Sequence, residues 1–134
     1  MILLAPTMDG LAALITTGPP AMDNVYPWPT EEISVPCAVV GFPESIVFDA
    51  VYGDGANEFH IPIWHVIAKT GDQQARDRLS VALTGVSSIK KMLDGIRTFG
   101  GQSCTVRVTD AAIAEIAVGG IAYVAIKLST EVVG

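Results

Sequence analysis

At 134 residues, half of them hydrophobic and only 16% charged, the chain has the length of one domain, able to bury roughly two-thirds of its unfolded surface. So sparse a charged surface fits either an ordinary apolar small domain or a subunit that hides surface against partners. The net charge of −6 is polarised: residues 1–68 hold eight acids (Asp9, Asp23, Glu31, Glu32, Glu44, Asp49, Asp54, Glu58) and no Lys or Arg, while all eight basic residues lie in 69–134 beside six acids, so the halves carry −8 and +2. This polarisation disfavours wrapping around nucleic acid, which needs a clustered cationic face, whereas an acidic patch on one copy meeting a basic patch on the next suits head-to-tail self-association.

Residues 7–17 are predicted as a short helix, with Thr7 or Asp9 as its cap and Leu11, Leu14 and Ile15 on one face. The preceding Met-Ile-Leu-Leu-Ala-Pro lacks the basic region and full apolar core of a signal peptide, so synthesis and assembly in the cytoplasm are expected. Gly18-Pro19-Pro20 ends the helix. Five prolines (19, 20, 27, 29, 36) make residues 19–36 an irregular arm in which Tyr26-Pro27-Trp28-Pro29 lies extended. Tyr26 and Trp28 are its candidate anchors, on this domain or on a neighbour.

Strands are predicted over 37–41 and 45–52, turned by Gly41-Phe42-Pro43-Glu44. The segment Gly53-Asp54-Gly55-Ala56-Asn57 then suits a hairpin into a strand over 58–68. In that strand Phe59, Ile61, Ile63 and Ile67 recur with period two, and His65 is the polar member of the face. Pro62 cannot donate a ladder bond, so the strand is expected at a sheet edge or with a bulge there.

After Thr70-Gly71-Asp72 the spacing turns helical, with Ala75, Leu79, Ala82 and Leu83 on one stripe. Gly85 and a cap at Ser87 or Ser88 are expected to divide it from a second short helix carrying Ile89, Met92, Leu93 and Ile96. Alternation returns at 103–109, and residues 111–118 and 121–133 read as two further strands around Gly119-Gly120. A two-residue turn there sets Glu115 opposite Val124, an awkward pair that implies a cation for Glu115 or a different register. Val124, Ile126, Leu128 and Val132 form the apolar face of the last strand. The most apolar run, 111–126, is broken by Glu115 and the two glycines, so no membrane-spanning segment is expected. Cys37 and Cys104 lack a CxxC partner and are expected to be buried thiols.

Catalytic and metal motifs are missing. His60 and His65 lie five apart on one strand, an odd offset that points them to opposite faces and prevents a shared metal without a bulge between them. No HExxH, GxSxG or phosphate-loop pattern occurs, and Gly53-Asp54-Gly55 reads as a hairpin turn. Asp49, Asp54 and Glu58 could surround a cation, or form a solvated acidic rim. No enzymatic activity, cofactor or metal is therefore expected.

The elements in order are an N-terminal helix leading to Val25-Tyr26-Pro27-Trp28-Pro29, then Pro36-Cys37-Ala38-Val39-Val40. Next comes a hairpin from Ile46-Val47-Phe48-Asp49 through Tyr52-Gly53-Asp54-Gly55-Ala56 to Trp64-His65-Val66-Ile67. The helical pair Asp72-Gln73-Gln74-Ala75-Arg76-Asp77-Arg78-Leu79 and Ser88-Ile89-Lys90-Lys91-Met92-Leu93 follows, and the strand Ile121–Val132 closes the chain. Over residues 8–133 this order resembles the tail terminator proteins of long-tailed (siphovirus-type) actinobacterial bacteriophages.

The resemblance implies a single domain over 1–134, with the helix and proline-rich arm in 1–36 and the sheet and helix pair in 37–134. Its fold would be α+β, a mixed, mostly antiparallel sheet with two to three short helices packed on one face. Six copies would close into a ring at the head-proximal end of the virion tail. That ring would cap the tail tube, stop addition of tail tube protein, and dock the head-to-tail connector protein. A connector or tail-completion protein of the same junction is the near competitor. From other classes come a transient scaffold and a small cytoplasmic ligand-binding domain or enzyme using the 53–60 loop and His60.

Expected assembly surfaces are the acidic hairpin Asp49, Asp54 and Glu58; the basic set Arg76, Arg78, Lys90 and Lys91; the anchors Tyr26 and Trp28; and an edge at Pro62, since family rings extend a sheet between neighbours.

Overall fold

The computed structural model describes residues 4–17, 24–29, 33, 37–51, 56–71, 73–94, 98–99, 102–103 and 105–134, and the side chains of these except 17, 49–51, 56, 84–89, 91–92, 98–99 and 102–103. The described chain is α+β, with two helices against a mostly antiparallel open sheet. Its elements are α1 (Leu4–Thr17), β1 (Val25–Tyr26), β2 (Cys37–Val40), β3 (Ser45–Val51), β4 (Ala56–Lys69), α2 (Ala75–Leu93), β5 (Thr98–Phe99), β6 (Gln102–Ser103), β7 (Thr105–Val118) and β8 (Ile121–Val133). The main sheet runs β1-β2-β4-β8-β7, with β3 beside β4; β5 and β6 form a separate small hairpin. Only β1 and β2 pair in parallel among the described strands.

One face of the sheet is covered by helices. Met8, Leu11, Ala12 and Ile15 recur at helical spacing along α1 and share one buried core with Phe59, Ile61, Ile63, Val106, Ile126, Leu128 and Val132. Each large aliphatic side chain so buried contributes about 1.5–3 kcal/mol. Thr7 is not the expected cap. It lies inside α1 and is fully buried.

The expected pair of short helices is one helix, α2, running through Gly85, Ser87 and Ser88. The reason lies in the phase of the stripe. Ala75, Leu79 and Ala82 pack on the core, and Leu93, eleven residues beyond Ala82, returns to the same face after three turns. An interior glycine costs only about 1 kcal/mol relative to alanine, which that burial outweighs. Asp72 falls outside the described residues. The N-cap position is Gln74, which makes no side-chain capping bond.

The other face holds a smaller cluster. Cys37, Val39, Val66, Tyr123 and Ala125 are buried there, with Tyr26, Ile33, Trp64, Ile116 and Val118 packed around them. The arm thus docks Tyr26 on its own domain. Burial pushes the Cys37 thiol up to about 11. Cys104 falls outside the described residues.

Pro62 is not at an edge and carries no bulge. β4 is flanked by β8 on one side and by β3 and β2 in succession on the other. The Pro62 carbonyl accepts from Gly41 N–H at 2.8 Å, and the His60 carbonyl from Glu44 N–H at 2.8 Å. In an antiparallel ladder the N–H and C=O of one residue point the same way. The missing Pro62 N–H therefore faces the crossing from β2 to β3, where no ladder acceptor is required. The irregularity in β4 falls later, between Val66 and Ala68.

Residues 103–109 and 111–118 are not two strands: β7 is continuous from Thr105, with its register shift between Val108 and Asp110. Gly119 and Gly120, at φ 59° and 79°, make the two-residue turn to β8. Glu115 pairs with Val124 in the register read from that turn.

Candidate functional site

The main sheet ends on apolar strands. β7 has a hydrogen-bonded neighbour only in β8, and no backbone bond occupies its outer side between 110 and 118 among the described residues. Both faces of this stretch are open: Ile113 is exposed at 59% of its surface, together with Ala111, Ala112 and Ala117, and across the turn Ile121 is 41% exposed. Leu83 of α2 lines the same depression as Ala111, which carries the apolar surface onto the helix. Asp110 and Glu115 are the charges on this stretch. On the opposite side of the sheet β3 exposes Ile46, Val47 and Phe48, the last at 70%, beside Phe42. Long apolar edges of this kind are templates for strand pairing with another chain. Nearer its start β7 is shielded, because Val108 N–H donates to Asp94 Oδ1 at 2.9 Å.

The sequence-predicted surfaces are scattered over this frame. Trp28 is 54% exposed while Tyr26 is tucked into the second cluster. Arg76 and Arg78 are exposed at the start of α2, Arg76 pairing with Asp77 at 3.7 Å and Arg78 donating to Gln74 Oε1 at 3.3 Å. Lys90, near the end of α2, pairs with Asp94. Lys91 lies on α2 with its side chain outside the described set, as does that of Asp49 on β3. Asp54 falls outside the described residues. Pro62 is buried in the sheet interior, so it offers no edge.

Glu58 has partners that the sequence did not suggest. It shares a face of β4 with His60, whose Nε2 is 3.2 Å from Glu58 Oε2. His60 also lies directly across from Glu131 of β8. One ligand atom from each of the three residues lies within 4.8 Å of the others, and all three are half-buried. No spacing rule joins residues 58 and 131; only the sheet register does.

His65 points to the other face, as the odd offset from His60 required. It is 7% exposed, its Nδ1 has no hydrogen-bond partner, and burial lowers its pKa, which favours the neutral ring. With Ile67 it lines an open groove of about 760 Å³ against Gln74, Asp77, Arg78, Val81 and Ala82 of α2. Among the described residues, that lining brings no hydroxyl or thiol nucleophile to the imidazole.

Neither a known protein-family model nor a curated protein sequence matches the chain. No helix among the described residues is long and apolar enough to cross a membrane.

Proposed function

We propose that this chain is a structural subunit of a bacteriophage tail, the terminator, whose copies join through their sheet edges into a ring. The observation that carries the reading is the unpaired, apolar β7 edge, faced on the far side of the same sheet by the apolar β3. Two different edges on one subunit make a heterologous contact, which generates a ring when the rotation closes. The polarised charge and the order of elements support the same reading. Six copies, as in the proteins the sequence resembles, would close on the head-proximal end of the tail tube. The ring would contact the tail tube protein below and the connector protein above, without catalysing any reaction.

Tail length in particles assembled without this protein, measured by electron microscopy, tests the proposal. Overlong tubes of variable length, without heads, are expected. Tails of normal length that fail to join heads would instead assign the protein to the connector. Normal infectious particles would overturn both.

A further inference from the structure

We propose that Glu58, His60 and Glu131 form a binding site for a divalent transition-metal ion of the zinc class. This inference is independent of the assembly reading. Three side chains on one sheet face bring an imidazole nitrogen and two carboxylate oxygens together, with no pair of ligand atoms more than 4.8 Å apart. A tetrahedral ion about 2.0–2.1 Å from its ligands sets them about 3.3 Å from one another. The separation of 3.2 Å between His60 Nε2 and Glu58 Oε2 already has that length. Glu131 needs only to close in through its own side-chain torsions, which a long carboxylate does readily.

The backbone places these ligands firmly. Glu58 and His60 stand two residues apart on β4, and His60 pairs across the ladder with Glu131 of β8. Both strands have neighbours on each side, so the site sits on rigid elements. Gly134 and Asn57 exchange backbone bonds of 3.1 and 3.0 Å, which anchors the end of β8 beside the site.

Charge provides a second, separate argument. Glu131 also lies directly across from Arg107 of β7, yet no ion pair joins the two within 4.0 Å. Its carboxylate instead gathers with the Glu58 carboxylate and His60. The side chains of Glu58 and His60 are only 21% and 35% exposed. Two like charges brought together and partly withdrawn from water are stabilised by a positive charge between them, which the His60 imidazolium supplies only when protonated. A dication supplies it. The imidazole favours zinc, cobalt(II) or nickel over magnesium or calcium, which select oxygen ligands alone. Partial exposure leaves the outer coordination position to water. Binding would tie β4 to β8 and stabilise the native state by mass action.

Zinc chloride titrated into chelator-stripped, full-length protein by calorimetry tests the site. About one equivalent should bind near neutral pH, with a raised melting temperature, and binding should weaken in acid as the ligands protonate. His60→Ala and Glu131→Gln should each reduce affinity by tenfold or more, about 1.4 kcal/mol. Glu115→Gln, on the exposed hairpin, should leave binding unchanged. Cobalt(II) added to the unmodified protein provides a readout that requires no variant to fold. It should perturb the His60 ring resonances in NMR before those of His65, which lies on the opposite face. No zinc uptake, uptake indifferent to both ligand substitutions, or cobalt perturbing His65 first would each overturn the site and leave a hydrogen-bonded surface cluster.

Discussion

Gly41 and Pro62 are in contact so close that position 41 has no room for a side chain while the proline ring is present. Gly41 N–H donates to the Pro62 carbonyl at 2.8 Å, and a Cβ built on Gly41 would meet Pro62 Cγ at 2.8 Å. That is closer than real Cβ atoms approach a neighbour, and the pyrrolidine ring has no flexible end to move aside. The glycine is what lets the chain cross from β2 to β3 over a proline in the sheet interior.

Gly41→Ala should accordingly destabilise the fold by about 1–3 kcal/mol, the usual cost of overpacking. Pro62→Ala in the same chain should recover part of that loss, since it removes the ring atom that clashes. The check is a double-mutant cycle from urea unfolding. Additive losses would refute the coupling.

Ile113→Lys should change association while sparing the fold. Ile113 is 59% exposed, so its replacement should leave stability within about 0.5 kcal/mol. A lysine on an edge strand opposes strand pairing between chains. Sizing with light scattering should show a smaller assembly. An unchanged assembly would remove β7 from the interface.

Arg76→Glu with Arg78→Glu tests the basic partner of the proposed ring. Both residues are exposed on α2, and their reversal should weaken the ring while preserving a folded monomer. Circular dichroism and sizing at low and high salt separate the two effects. A ring indifferent to the reversal would place its contacts elsewhere.

Asp94 should make stability depend on pH. The Lys90 ammonium bonded to it and the Val108 N–H hold its carboxyl below the usual carboxylate range. A depressed folded-state pKa adds stability above the unfolded carboxyl value, and that contribution is lost as pH falls through the folded one. Asp94→Asn should be less stable at neutral pH and show a shallower acid decline, the two unfolding curves converging at low pH.

Cys37 should be inert until the protein unfolds. Its buried thiol titrates at about 11, so at pH 8 almost none is thiolate and none is accessible. Peptide mapping after iodoacetamide treatment should show Cys37 alkylated only in denaturant.

Local order was legible in the residues themselves. Period two in 58–68, the helical stripe beginning at Ala75, the Gly119-Gly120 turn and the pairing of Glu115 with Val124 all follow from short-range spacing, because side-chain direction repeats with backbone geometry. The eleven-residue step from Ala82 to Leu93 also contained the continuous α2, though Gly85 and the serines masked it. The candidate site was much less legible. Glu58 was visible as an acid near a hairpin, but not its convergence with Glu131, 73 positions away.

The sequence by itself determined which residues alternate or spiral, which turns they make, and that charge is divided between the halves. Only the tertiary structure decided that β4 is interior, that β7 pairs with β8 alone among the described strands, and that His60 gathers with two carboxylates. These outcomes depend on which strand lies beside which. Pairing is non-local: it is set by the summed burial of whole faces and by where an N–H can go unsatisfied, as at Pro62, and no local period encodes it.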